Sequence, residues 1–283
     1  SFCNNSCCMD ISSNYCDQFN INTNNFELMI EVKDIRKSFD AVEVLKGFSV
    51  TFEKGKVSLI IGQSGSGKTV FLKNLIGLLT PTSGQILYEG DNMIEFDYKE
   101  KQRLRSEIGV VFQGSALYDT MNIVENVKFP LQMFSDMSNA DAEKRAREVL
   151  DRVEIARTAL KKYPSEISGG MQKRVAIARA IVNNPKYLFA DEPNSGLDPK
   201  TALVIDQLIY DITKEYNTTT VVNTHDMNSV MEIGDHIVFL KNGFLEWEGT
   251  KEEILVADNP NVIDFVYSSN LFKKLREALL KEQ

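Results

Sequence analysis

Past residue 16 the 283-residue sequence contains no cysteine; its four (Cys3, Cys7, Cys8 and Cys16) all lie in the opening stretch. A disulfide scaffold would spread its cysteines through the fold. The C-x3-C-C-x7-C spacing also lacks the paired C-x2-C of common zinc sites. No apolar run approaches the ~18–20 residues needed to span a bilayer. The first 28 residues hold no Lys or Arg and no continuous apolar core, so they do not read as a secretory signal. An excess of positive charge is missing too: 32 Lys and Arg against 40 Asp and Glu give −8. That argues against a chain built mainly to coat nucleic acid or an anionic membrane. Internal repeats and coiled-coil heptads are absent. The expected setting is cytosolic, with any membrane-spanning helices supplied by another chain.

What is present is the composition of a globular protein, 43% hydrophobic and 25% charged, long enough for a sizeable core. Residues 1–28 read as a disordered or non-native tail, rich in Asn, Ser and Cys, and Met29 offers a start just before the first strand-like run. Residues 30–35, 48–52 and 57–61 read as strands. Val57-Ser58-Leu59-Ile60-Ile61 is nearly all apolar, as in a strand buried on both faces. A helix pattern follows through Phe71, Leu72, Leu75 and Ile76, then a loop over 80–84. Residues 119–167 change character, with a helix expected over 139–162 on Ala140, Ala146, Val149, Leu150 and Val153. A helix is expected over 169–183, buried strands at 187–191 and 219–223, and a tight hairpin turn at Asn242-Gly243. Residues 271–280 suggest an amphipathic helix with Leu271, Phe272, Leu275 and Leu279 on one face.

Residues 62–69 carry the chemistry. Gly62-Gln63-Ser64-Gly65-Ser66-Gly67-Lys68-Thr69 satisfies GxxxxGK[ST] in full, just after a buried strand and opening a helix. Glycines let successive backbone N–H groups turn toward one anion, and the helix N-terminus adds positive potential. Lys68 would reach the β- and γ-phosphates of a nucleotide, and the Thr69 hydroxyl would ligate Mg²⁺. Tyr187-Leu188-Phe189-Ala190-Asp191-Glu192 is an apolar strand ending in two carboxylates. Asp191 suits Mg²⁺, and Glu192, one residue on, suits the polarising of an attacking water. Alone, such an acidic strand end is an ordinary turn; beside a phosphate loop it points to NTP hydrolysis.

Ser168-Gly169-Gly170-Met171-Gln172-Lys173-Arg174 then resembles the signature segment of the ATP-binding-cassette (ABC) ATPases, of form LSGGQ, with Ile167 in place of Leu and Met171 before Gln172. Physically, Ser-Gly-Gly opening a helix is a second anion site, and otherwise an N-cap with a flexible lead-in. The other family motifs follow in order. Gln113 resembles the glutamine that touches Mg²⁺ and the transport partner, Ser195-Gly196-Leu197-Asp198 the D-loop, and His225 the switch histidine facing the γ-phosphate. Phe39 resembles the aromatic that stacks on adenine, with packing in a core as the plainer reading. Val70 closes the phosphate-binding set, and both it and Asn194 depart from the family pattern. His236 matches no motif and reads as structural.

The resemblance covers about residues 30–250 and implies an α/β P-loop NTPase core. That core would have a mixed, mainly parallel sheet, an N-terminal antiparallel β subdomain and an inserted helical subdomain at about 115–170. Residues 29–250 would form the ABC ATPase domain and 251–283 a C-terminal helical extension. It further implies ATP and Mg²⁺ as cofactors and a head-to-tail homodimer. There Lys68, Thr69, Gln113, Asp191, Glu192 and His225 of one copy would face Ser168, Gly169 and Gly170 of the other, and Asp198 joins the expected nucleotide-binding set. Only 100 residues separate Lys68 from Ser168, with no coiled coil between, which disfavours chromosome-maintenance and DNA-repair relatives; a single cassette disfavours the twin-cassette translation factors.

The stretch from Phe112 to Val127, followed by Phe129-Pro130-Leu131, resembles the Mla-type, MCE-associated phospholipid transport ATPases, as does the segment from Asn259 to Val266. That implies an integral membrane permease and an MCE-domain lipid-binding protein as partners, peripheral placement at the cytoplasmic face of the inner membrane, and no nucleic acid. Leu117, Tyr118, Met121 and Val124 would suit the permease groove or equally the core of the subdomain. Other cargo (an amino acid or lipoprotein) and a soluble regulatory ABC ATPase stay open.

Overall fold

The computed structural model describes residues 29–267. In chain order the first half comprises β1 (Ile30–Phe39), β2 (Val42–Phe52), β3 (Val57–Ile61), α1 (Lys68–Leu75), β4 (Ser83–Tyr88), β5 (Asp91–Asn92), α2 (Tyr98–Glu107), β6 (Ile108–Val111), α3 (Ile123–Phe134) and α4 (Asn139–Arg152). The second half comprises α5 (Gly169–Ile181), β7 (Tyr187–Asp191), α6 (Pro199–Tyr216), β8 (Thr219–Asn223), α7 (Met227–Ile233), β9 (His236–Lys241), β10 (Phe244–Gly249), α8 (Lys251–Leu255) and α9 (Pro260–Val266).

Two sheets organise these elements. One is antiparallel in the order β2-β1-β4-β5; the other has six strands in the order β10-β9-β3-β8-β7-β6. In the second, β9, β3, β8, β7 and β6 run parallel and β10 returns antiparallel on β9. Every residue of β3, β7 and β8 is buried, because both faces of the sheet are covered and side chains alternate between them. Leu59, Ile61, Leu188 and Ala190 enter the core shared with α3 to α7. Ile60, Tyr187 and Phe189 enter the core shared with α1 and the antiparallel sheet. The phosphate loop therefore leaves a strand fixed from above and below.

The antiparallel strands run further than the apolar runs at 30–35 and 48–52. The added segment is paired by charge as well as by backbone: Arg36 contacts Glu43 across the β1–β2 ladder at 3.3 Å. β4 begins at Ser83, inside the stretch expected as a loop. Gly84 fits there because a Cβ would lie 2.3 Å from the carbonyl oxygen of Asp34, where β1 bulges; a glycine in a strand often marks such an approach. The helix expected over 139–162 stops at Arg152. Glu154 takes a left-handed φ of 59°, Ile155 N donates back to Leu150 O, and the chain reverses in a C-terminal capping turn. Val153, Ile155 and Leu160 stay buried, so the apolar pattern continued past the helix that began it. The helix expected to Asn183 ends at Ile181. α3 falls within the helical subdomain expected at about 115–170, whereas α2, α6 and α7 have no expected counterpart. Leu271, Phe272, Leu275 and Leu279 lie outside the described residues.

Candidate nucleotide site

β3 delivers the chain at Ile61 into the phosphate loop, and α1 begins at Lys68. Gly67, the residue before α1, is left-handed (φ 104°) and supplies no side-chain cap. The first-turn N–H groups are thus left for an anion. Lys68 is 8% exposed and its ammonium donates to the carbonyls of Gly62 at 2.8 Å and Gln63 at 3.1 Å. Burial lowers its pKa, against the raising effect of Glu192 and Asp191. Ser66 Oγ is buried without a hydrogen-bond partner. An uncapped helix start, a buried cation and an orphaned hydroxyl fit a phosphate.

Asp191 ends β7 and accepts on Oδ1 from Asn223 Nδ2 at 3.0 Å and from the Thr69 hydroxyl at 3.3 Å. One carboxylate and one hydroxyl are the donors expected for Mg²⁺ held mainly by a nucleotide's phosphates. Glu192 follows with a left-handed φ of 48°, which costs a non-glycine residue about 1 kcal/mol. Its N–H donates to Asn223 O at 3.0 Å, so β8 holds the turn. His225 Nδ1 lies 2.8 Å from both Glu192 carboxylate oxygens. Gln113, just past β6, donates to Ser195 Oγ at 3.4 Å.

These residues converge on one cleft of about 710 Å³, lined by residues 62–70 other than Ser66 together with Gln113, Glu192 and His225. Val44 and Phe265 complete its wall; neither was expected there. Also unexpected is Lys173 on α5, 5% exposed, whose ammonium donates to the carbonyl of Gln113 and whose pKa burial lowers. It ties the helix of the Ser-Gly-Gly segment to the glutamine loop. A buried amide–carboxylate–hydroxyl group was missed as well. Asn194 Nδ2 donates to both oxygens of Asp206, at 3.2 and 3.0 Å, and Ser229 Oγ to one, at 2.7 Å. It joins the chain after Glu192 to α6 and to the helix after His225.

The remaining expected residues lie elsewhere. Ser168 caps α5 by accepting from Met171 N at 3.3 Å, with Gly169 and Gly170 as the first helical residues. A Cβ on Gly170 would lie 2.8 Å from Thr201 Cγ2. Asp198 caps α6 through Thr201 N at 3.1 Å. None of these four lines the phosphate-loop cleft. Phe39 is 41% exposed at the β1–β2 turn, under the Lys37 ammonium 5.0 Å from its ring centroid. It is not in a core, so the plainer reading of this aromatic is corrected.

A family model described as ABC transporter matches residues 45–195. The chain is 39% identical, over 84% of its length and 68% of the relative's, to the probable ribonucleotide transport ATP-binding protein mkl of Mycobacterium leprae. It is 36% identical, over 90% of its length and 76% of the relative's, to the methionine import ATP-binding protein MetN 1 of Oceanobacillus iheyensis. It spans 66% of the mkl proteins of Mycobacterium bovis and Mycobacterium tuberculosis. Among solved structures it superposes on the dimeric bacterial cassette MJ0796 with a TM-score of 0.73 and 35% identity, over 78% of this chain and 98% of that one. That cassette is also known in a post-hydrolysis state bound to ADP and Pi. With the cleft's geometry, these likenesses establish that the chain belongs to the ABC transporter family, as one of its ATP-binding and ATP-hydrolysing cassettes.

Proposed function

We propose that the chain powers a membrane transporter as a head-to-tail ATP-sandwich dimer, and that its cargo is phospholipid. One observation carries the dimer: the phosphate-loop cleft gathers Lys68, Glu192 and His225, while Ser168, Gly169 and Gly170 open a helix outside it. A second anion site with no phosphate of its own is satisfied by a partner's ATP.

In this reading Lys68 leaves its two carbonyls for the β- and γ-phosphates. Thr69, Asp191 and Gln113 would hold Mg²⁺, which would supply neutralisation of charge on the phosphate oxygens. Glu192 accepts a proton from the water whose oxygen attacks the γ-phosphorus, as the bond to the β–γ bridging oxygen breaks. The short contact to Glu192 lets His225 orient that carboxylate and meet the γ-phosphate. Phe39 stacks on adenine. Hydrolysis detaches the γ-phosphate, and product release then takes away the charge that latched the two copies, which separate. We take residues 29–250 as the cassette and 251–283 as a C-terminal extension.

The lipid cargo rests on the pattern of residues 112–131 and 259–266, with a permease and an MCE-domain protein as partners at the cytoplasmic face of the membrane. Among the described residues no helix is long and apolar enough to cross a membrane, in keeping with a separate permease. The relatives' names supply the second reading, a ribonucleotide or methionine as cargo. Purification from mildly solubilised membranes tests this. A permease, an MCE protein and phospholipid recovered together support the lipid reading; an unrelated permease leaves the ATPase and removes the lipid; soluble protein alone removes both permease readings.

A further inference from the structure

Two residues of the cleft wall, Val44 and Phe265, lie outside the nucleotide-binding motifs. Phe265, from α9, lines it beside the phosphate loop. α9 is held to the β9–β10 hairpin by four contacts. The Phe265 ring packs on Phe239 of β9, centroids 5.2 Å apart. Lys241 Nζ donates to Asn261 Oδ1 at 2.5 Å, and Asn261 Nδ2 donates to Glu246 Oε2 at 2.9 Å. Asn259, the cap of α9, donates to the carbonyl of Glu246 at 3.1 Å.

The same hairpin backs the phosphate loop. A Cβ on Gly62 would lie 2.2 Å from the carbonyl oxygen of Leu240, so the loop starts in backbone contact with β9. At the hairpin turn, Gly243 N donates to the carbonyl of Ser66 at 3.2 Å, and Lys46 N on β2 donates to the carbonyl of Gly243 at 2.9 Å. Gly243 has a φ of 85°, and a Cβ there would lie 2.2 Å from Val44 O. Backbone cannot yield as a flexible side chain can, so the position accepts only glycine without displacement. The phosphate loop is therefore clamped between β2 and a hairpin whose outer face is braced by α9.

We propose that α9 is part of the nucleotide site, with Phe265 as an apolar wall of the cleft and the Lys241–Asn261–Glu246 bridge as the brace that positions the phosphate loop through Gly243. This rests on the nucleotide reading of the cleft. Its consequence runs both ways: a phosphate seated in the loop steadies α9, and loosening α9 weakens the seat.

The test measures binding of a fluorescent ATP analogue to the full chain, well below its melting temperature. The variants are Phe265→Ala, Phe265→Tyr, Asn261→Ala and Gly243→Ala, with Lys68→Ala as comparator. Expected are an increase in Kd of about fivefold for Phe265→Ala and Asn261→Ala, recovery in Phe265→Tyr, and more than about tenfold for Gly243→Ala. A helix that only contributed to stability would lower the melting temperature and leave Kd alone. Unchanged Kd in both Phe265→Ala and Asn261→Ala, with binding lost in Lys68→Ala, overturns the proposal and leaves the nucleotide site standing. Unchanged binding in Lys68→Ala overturns the nucleotide site itself and this proposal with it. If Gly243→Ala does not fold, the two α9 variants decide.

Discussion

The phosphate loop and the Ser-Gly-Gly segment both place small residues at a helix N-terminus, yet they are built for different occupancies. The first is hemmed in: Lys68 is bonded to two loop carbonyls, Asp191 and Glu192 stand opposite, and backbone of β2 and β9 presses from behind. The second is capped by its own Ser168 and lies outside the cleft that gathers Lys68 and Glu192. Potential at a helix N-terminus is common to both. What the contrast teaches is that an anion site becomes a catalytic one only where neighbouring strands bring charge to it.

Substitutions can sharpen or break that contrast. The largest effect is expected for Lys68→Ala, which removes the buried cation and should weaken ATP binding by more than about a hundredfold in a titration. Glu192→Gln should keep binding and lower hydrolysis by about 10²- to 10³-fold. It should also accumulate an ATP-bound dimer in light scattering; a monomer with ATP would break the sandwich reading. Gly170→Arg should spare ATP binding to the isolated chain and abolish that dimer, separating the two helix N-termini cleanly. The smallest effect concerns Asp206, whose carboxyl burial pushes up to about 6, opposed by hydrogen bonds from Ser229 and Asn194. The folded state then holds this proton more tightly than the unfolded chain does. Stability should fall as pH rises from about 4 to about 6 and level off above that, by about 3 kcal/mol. Thermal melts of wild type against Asp206→Asn should show that step only in the wild type.

The strands that carry the site were legible because their burial is uniform. Tyr187–Asp191 and Thr219–Asn223 have the bounds expected for them, and Asn242-Gly243 is a turn with φ of 52° and 85°. α3 and α6 were marked by signals not used. Asn122 and Glu125 form a capping box, and Asp198 caps a helix that begins with Pro199. Other features had no local signature. Lys173 reaches Gln113 across 60 positions, and Asn194 meets Asp206 and Ser229 only because α6 and α7 pack together. Phe265 enters the cleft only because Phe239 and Asn261 seat its helix. Each depends on tertiary packing that sequence periodicity does not encode.

The alternation of β3 between two cores has a consequence for which changes of length the chain tolerates. One residue inserted into Val57–Ile61 would exchange the side chains facing the helical layer with those facing the antiparallel layer, because the strand's period is two. It would also rotate the phosphate loop away from Leu240 and Gly243. The turn at Glu89-Gly90, exposed between β4 and β5, can take extra residues without either result. Insertions between related chains should therefore collect at such turns, and the count of residues from Val57 to Lys68 should stay fixed.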